Sequence, residues 1–366
     1  MSSEINVINF GAGPAKLPKE VLLDVQKEFL SYQNEGMGIV EISHRSEEYA
    51  KINSSAQSTL RELLNVPVNY KILFMHGGGQ GAFSAIPMNL MSRTGKADYL
   101  VTGTWSSVAA NEAKKYGQVN IVNARIPGGI PDPKTWKLNS DASYVFYCDN
   151  DTIDGVEFPF IPETEDIPLV ADMSSNLLTK KLDVSKFGVI FAASQKNLGP
   201  ASVAVLIVRE DLLGNATEYC PSILDFTILN KMDSILNTPP IFSIYVMDKV
   251  FRWIRKSGGL TVMETLSEQK SSLVYNTLEL HNTFYFSPVG KNARSRINIP
   301  FRIGKSNGDE ELENQFLREA EERNMLQLKG HHLVGGIRVS LFNSITVQEV
   351  NRLIDFMIDF QKRNAA

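Results

Sequence analysis

Four short segments of this chain hold residues that could do chemistry together. The first is Ser194-Gln195-Lys196-Asn197-Leu198-Gly199-Pro200, set between the apolar runs 187–193 and 201–208. Lysine is seldom buried without a purpose. Desolvation lowers the pKa of an amine and frees its lone pair to act as nucleophile and base. A lysine that snorkels to the surface is the plainer alternative. The second segment places Asp172 directly after the apolar Leu169-Val170-Ala171 and before Met173-Ser174-Ser175. A carboxylate at the end of a buried strand needs a partner; a protonated ring nitrogen would serve, and so would the start of a helix that it caps. The third is His76-Gly77-Gly78-Gly79-Gln80-Gly81, between a strand-like and a helix-like run. Glycines let the backbone approach an anion closely, and a helix start offers free N–H donors, so a phosphate cradle competes with a simple tight turn. The fourth is Trp105, shortly after Gly103, whose indole can offer a flat face to an aromatic ring or fill a core or an interface.

The elements that must position these residues follow an alternating pattern. A helix is expected over 17–32 through Pro18, an allowed first-turn residue, and another over 82–91. Apolar strands are expected over 70–75, 98–102, 144–148, 169–171, 189–193 and 203–208. Strands apolar throughout and separated by helices indicate a parallel sheet covered on both faces, and in such sheets ligands gather at the carboxyl ends of the strands. All four segments occupy such ends. Together they describe a ligand with a phosphate, a flat ring, a cationic nitrogen and an aldehyde that condenses with an amine; pyridoxal phosphate has all four. Past Ser257-Gly258-Gly259 the pattern changes to a helix over 261–280, a strand over 296–302 that alternates as if one face met water, a helix over 310–324, a strand over 337–342 and a helix over 346–363. The fold class expected is therefore α/β, with a large domain (17–260) built on a mainly parallel sheet covered by helices, plus a smaller α+β domain (1–16 and 261–366).

Bulk properties exclude several classes. Lys plus Arg total 37 against 41 for Asp plus Glu, a formal charge of −4, so no general field draws nucleic acid or an anionic membrane and any anion must be caught by a few local cations. Residues 1–4 lack the basic start of a leader, and no apolar stretch reaches the ~20 residues of a membrane span. Cys148 and Cys220 are far apart and in no metal-like spacing, which suits a reducing, cytoplasmic setting.

The sequence resembles the phosphoserine aminotransferase family, in the class V group of fold-type-I aminotransferases. The resemblance runs over nearly the whole chain: Asn9-Phe10-Gly11-Ala12-Gly13-Pro14-Ala15, Ser43-His44-Arg45, the glycine-rich turn, Asp172-Met173-Ser174-Ser175, Gln195-Lys196-Asn197 followed by Gly199-Pro200, Asn237-Thr238-Pro239-Pro240, Lys329-Gly330-His331-His332 and Gly335-Gly336-Ile337-Arg338. It implies that Lys196 is the Schiff-base lysine and proton carrier, that Asp172 pairs with the ring nitrogen and that Trp105 stacks on the ring. Thr152 would bond the ring's phenolic oxygen, while Gly79, Gln80 and Gln195 hold the phosphate. Asn237 and Thr238 would reach the phosphate from a neighbouring subunit, which implies a homodimer with shared sites. The substrates implied are glutamate and 3-phosphohydroxypyruvate. Arg338 would take the α-carboxylate as a bidentate fork, and His44, Arg45, His331 and His332 the distal anion. Many members have Arg where this chain has His332, and some have Arg where it has Gln80.

Competing readings each lack a feature. A class V enzyme acting on alanine or serine with glyoxylate has no need of the cations at His44-Arg45 and His331-His332. Cysteine desulfurase chemistry needs a mobile nucleophilic cysteine, and neither Cys148 nor Cys220 lies in a glycine-rich flexible loop. A nicotinamide dehydrogenase lacks its GxGxxG turn, and a non-catalytic binding protein would not need to keep Lys196 among intact partners.

Overall fold

A computed structural model describes residues 7–365; residues 1–4, considered above for a leader's charge pattern, lie outside the described part. In chain order come β1 (Ile8–Asn9), α1 (Lys19–Glu28), α2 (Glu47–Leu64), β2 (Tyr70–His76), α3 (Gly78–Leu90), β3 (Lys96–Leu100), α4 (Thr104–Ala113), β4 (Gln118–Ile121), β5 (Val145–Cys148), β6 (Leu169–Asp172), β7 (Val189–Ala193), β8 (Val203–Arg209), α5 (Phe226–Lys231) and α6 (Ile241–Lys256). There follow α7 (Gly259–Leu280), β9 (Tyr285–Phe286), β10 (Asn298–Ile303), α8 (Glu310–Glu322), β11 (Met325–Leu326), β12 (Ile337–Ser340) and α9 (Val347–Asn364).

Seven strands form one sheet in the order β2-β8-β7-β6-β5-β3-β4. Its strands are apolar throughout because both faces are covered. In β8, Val203, Val205 and Ile207 join the core beneath α2 and α6, while Ala204, Leu206 and Val208 join the core on the other face with Phe83 and Ile86 of α3. Each such aliphatic side chain contributes about 1.5–3 kcal/mol by leaving water, so the middle strands anchor the sheet edge on which the site is built.

One strand departs from the expected parallel arrangement. β7 pairs antiparallel with β8, and β8 antiparallel with β2. The cause is the short connection 194–202, since a parallel neighbour needs a crossover of about a dozen or more residues. The consequence is local: the chain reverses at the carboxyl end of β7 and leaves Lys196 in the reversal. β2, β3, β4, β5, β6 and β7 all point the same way, so the residues after each of them meet at one edge.

A second correction concerns β10. Its alternation was read as one face in water, yet Asn298 and Pro300 are buried and Arg296 and Arg302 half-buried. The polar face packs on the segment after β5: Asn150 donates from Nδ2 to Asn298 Oδ1 at 2.9 Å, and Arg296 pairs with the buried Glu157 at 3.1 Å. Period-two alternation shows that two faces differ; it does not say whether the polar one meets solvent or polar chain. β12 pairs with β10 so that Arg338 lies opposite Pro300. That register aims Arg338 at the same segment. Helix α3 also starts earlier than expected, at Gly78 instead of Ala82, because Gly77 takes the left-handed φ of 94° that lets the chain turn straight from strand to helix.

Candidate active site

The edge where these strands end surrounds a cavity of about 380 Å³ lined by Gly79, Gln80, Trp105, Thr152, Asp172, Gln195, Lys196, His331 and Arg338, with Gly13, Phe83 and Ser174 between them. At one end the first turn of α3 presents the backbone of Gly78, Gly79 and Gln80, whose N–H groups precede the first intrahelical bond from Gly81 to Gly77 at 3.0 Å. A helix start of this kind attracts an anion.

Trp105 is fixed at the start of α4 by the segment after β5. Its backbone N–H donates to Asp151 Oδ2 at 2.8 Å, and Thr104 donates from its backbone and its hydroxyl to Asp154 Oδ2 at 2.7 and 2.9 Å. Asp154 is held in turn by Arg125. Gly103 allows this approach, since a Cβ there would strike the Asp151 carboxylate. The indole Nε1 donates to Thr152 Oγ1 at 2.8 Å. The Thr152 hydroxyl proton is thereby left to donate elsewhere in the cavity. Trp105 is half-buried, packed against the core beside Phe83 while its indole also lines the cavity.

Asp172 ends β6, almost fully buried. Oδ1 accepts the Ser174 N–H at 2.9 Å, and the Cys148 thiol lies 3.9 Å from Oδ2. No helix follows, so Asp172 does not act as a helix cap. Burial raises its pKa, with Lys196 pulling the other way. Burial lowers the Lys196 pKa, opposed by Asp172, Cys148 and Asp151 and assisted by Arg338. These shifts point to two groups that lack adequate compensation: a carboxylate wanting a fixed cation and an amine ready to give up its proton. Arg338 donates from Nη1 to the Thr152 carbonyl at 3.0 Å, which leaves the rest of its fork facing the cavity. Burial also lowers its pKa, opposed by Asp151.

The remaining candidates divide between the cavity and the surface. His331 lies at the cavity with its ring 4.1 Å from the ring of His332, which is exposed. His44, Arg45, Asn237 and Thr238 do not line the cavity. Arg45, Asn237 and Thr238 are exposed and His44 is half-buried, with Thr238 Oγ1 3.4 Å from His44 Nδ1. The structure therefore brings together nine of the fourteen candidate residues. Residues that were not singled out and prove to build the cavity are Asp151, Asp154 and Ser174, whose hydroxyl accepts the Ala193 N–H at 2.9 Å and holds β7 to the turn after β6. The run Asp149-Asn150-Asp151-Thr152-Ile153-Asp154 directly after an apolar strand is the signal for the two aspartates.

A reversal that buries a lysine opposite a strand-end carboxylate, with an indole and a helix start beside them, defines a fold-type-I, pyridoxal-phosphate-dependent aminotransferase. The aminotransferase class-V family model matches residues 7–353, and the chain belongs to that family. Within it, the chain is 54% identical over 361 residues to the phosphoserine aminotransferase of Drosophila melanogaster, covering 98% of this chain and 99% of the relative. The structure of phosphoserine aminotransferase from Bacillus circulans subsp. alkalophilus superimposes with a TM-score of 0.94 at 38% identity, covering 98% and 99% of the two chains. That of the pyridoxal-phosphate-bound enzyme from Trichomonas vaginalis gives 0.93 at 39%, covering 96% and 100%. The chain belongs to the phosphoserine aminotransferases.

Proposed function

We propose that this chain moves the amino group of L-glutamate to 3-phosphohydroxypyruvate, giving O-phospho-L-serine and 2-oxoglutarate, with pyridoxal phosphate as cofactor. One observation carries the reading: a buried amine and a buried carboxylate, each lacking adequate compensation, share a cavity with a helix start at one end and an arginine fork at the other. The residues fit the cofactor. Asp172 wants a cation such as a ring nitrogen, and Trp105, tethered through Thr152, offers a flat face. Gly79, Gln80 and Gln195 surround a space suited to a phosphate. When bound, the cofactor supplies an aldehyde for the lysine and a ring that accepts electrons from the substrate carbon.

The chain's own groups do the rest. Lys196 would hold the cofactor through its amine and, once free, would serve as the base that takes the proton from the substrate α-carbon and as the acid that returns it. Asp172 keeps the ring nitrogen protonated, and the free Thr152 proton goes to the ring oxygen. Arg338, anchored on the Thr152 carbonyl, orients the α-carboxylate, so the groups that grip cofactor and substrate move together. Returning the amino group to the keto acid would call on the same residues in the same roles.

His44, Arg45, Asn237 and Thr238 act, on this reading, in the site of a neighbouring subunit of a homodimer. Exposed apolar side chains at Leu22, Leu23, Leu30, Met37 and Val40 support such an interface. The division into 17–260 and into 1–16 with 261–366 is supported by the parallel pairing of β1 with β11 and by their shared core with β10 and β12. A cytoplasmic location is supported by two free cysteines. No helix among the described residues is long and apolar enough to cross a membrane.

Mixing the yellow, cofactor-loaded protein with single amino acids tests the substrate class. Phosphoserine and glutamate should bleach the colour, and alanine should leave it. Bleaching by alanine with none by phosphoserine would assign the chain to a glyoxylate-type class V enzyme.

His331, at the cavity, adds a pH dependence. Burial lowers the His331 pKa, reinforced by His332 and Arg338 and opposed by Asp154. Its positive charge is present at the acid end and lost as pH rises, and a bound phosphate extends the range in which it persists. Affinity for the phosphorylated keto acid should therefore fall several-fold between about pH 6 and pH 8.5 and fall less in His331→Asn. A level binding profile in the wild-type protein counts against phosphate capture by these rings.

A further inference from the structure

Lys270 lies in α7, 2% exposed, well outside the residues that line the cavity. Its Nζ donates to three backbone carbonyls of the loop after β12: Leu341 at 3.0 Å, Phe342 at 2.8 Å and Ile345 at 2.9 Å. An ammonium has three protons, and all three are used on one short loop. Carbonyls at this depth are costly to leave without donors.

Two routes lead from that loop to the catalytic turn. In the first, the Asn343 N–H donates to Asn197 Oδ1 at 3.0 Å, and Asn197 donates from Nδ2 to the Ser175 carbonyl at 3.1 Å. Asn197 is the neighbour of Lys196, and Ser175 closes the turn that follows Asp172. In the second, Ser344 Oγ donates to the Lys16 carbonyl at 2.5 Å, and the Ala15 N–H donates to the Gln195 carbonyl at 2.8 Å. Asn343 also donates from Nδ2 to the Leu178 carbonyl at 2.8 Å. The loop is thus bonded to both sides of Lys196, and it continues directly from the strand that carries Arg338. Lys16 and Glu349 pair with each other at 2.5 Å next to it.

We propose that Lys270 is a positioning residue for the amino-transfer reaction: by clamping the loop 341–345 it holds the Asn343–Asn197 and Ser344–Lys16 links that set the Lys196 turn against Asp172 and against the Arg338 strand. The inference rests on the assignment of Lys196 as the reacting amine. Displacing a reacting group by a fraction of an ångström slows the chemical step far more than it weakens binding. A residue that only stabilised the smaller sheet would change neither the reactivity of the lysine nor the order of the 194–199 turn.

The test uses Lys270→Met, which keeps the bulk of the side chain and removes every donor. In the cofactor-free protein, backbone hydrogen exchange should accelerate over 340–346 and over 194–199 together, while β8 stays protected. In the loaded protein, kcat should fall about tenfold with KM for glutamate within about threefold, and the pH midpoint of the cofactor's visible absorbance should move. Asn197→Ala cuts the first link without touching Lys270 and should give the same split, which keeps the proposal testable if Lys270→Met does not fold. Faster exchange over 340–346 alone, with kcat and the absorbance midpoint as in wild type, overturns it. Peptide mapping of borohydride-reduced holoenzyme checks the Lys196 assignment separately, so failure of that assignment is distinguishable from failure of this one.

Discussion

Lys196→Ala should lose turnover by on the order of 10⁴-fold or more, lose the yellow colour, and still fold. The three outcomes have one cause. On the proposed roles the amine is both the tether of the cofactor and the carrier of the proton, and no second amine stands ready to replace it: lysine and arginine side chains among the cavity's lining residues are Lys196 and Arg338 alone. Arginine stays protonated and cannot serve as a base. The variant should still bind pyridoxal phosphate loosely, because the start of α3, Trp105 and Asp172 remain. Burial lowers the pKa of the amine in the folded chain, but the same amine draws down the pKa of Asp172; replacing it relieves one buried charge and leaves another less compensated, so the cofactor-free variant should melt close to wild type. Absorbance spectra, single-turnover rates with glutamate and thermal melts of the cofactor-free protein check each part. A variant that kept both colour and turnover would move the chemistry to another residue, and a variant that could not fold would make Lys196 structural.

The parts of this site that could be read from the sequence are those where chemistry contradicts its surroundings. Lys196 and Asp172 stand out because each interrupts or ends an apolar strand. The glycine run stands out because only glycines allow the turn at Gly77. Thr152 carries no such mark; only resemblance to a family pointed to it, and its use became visible with the indole bond from Trp105. Strand direction was equally hidden. β8 looks like every other buried strand, and its reversal depends on the length of the connection before it. Hydrophobic alternation likewise could not distinguish water from the polar 149–157 segment as the neighbour of β10. Lys270 is the extreme case. In a helix patterned with polar residues it reads as part of a solvated face, and only the fold shows its amine held by three carbonyls. Sequence patterns reveal where a residue is out of place, but bonds between distant segments leave no local trace.

Asp172→Asn should have two effects of opposite sign. Without cofactor, the Asp172 carboxylate is buried; burial raises its pKa, and the opposing pull of the Lys196 amine and of its hydrogen bonds does not cancel that rise. A carboxyl whose folded pKa is raised favours folding only while protonated. Its contribution is therefore complete below the unfolded value, near pH 4, and is lost as pH rises through the folded value. At neutral pH the cofactor-free protein bears the cost of that charge. Asparagine has the same shape, can still accept the Ser174 N–H, and removes the cost, so cofactor-free Asp172→Asn should melt higher than wild type at pH 7.5 and show a smaller gap, or none, at pH 4. Catalysis should move the other way. An amide cannot hold a proton on the ring nitrogen, the ring accepts electrons poorly, and kcat should fall by roughly 10²–10³-fold, the usual loss when a preorganised electrostatic partner is removed. Bound cofactor should stabilise the wild type more than the variant, because only the wild type gains a neutralised carboxylate. Paired melts with and without pyridoxal phosphate, at both pH values, separate these contributions. If asparagine lowered the melting temperature of the cofactor-free chain, or kept more than about a tenth of wild-type kcat, the carboxylate would be part of the framework and not the group that waits for a cation.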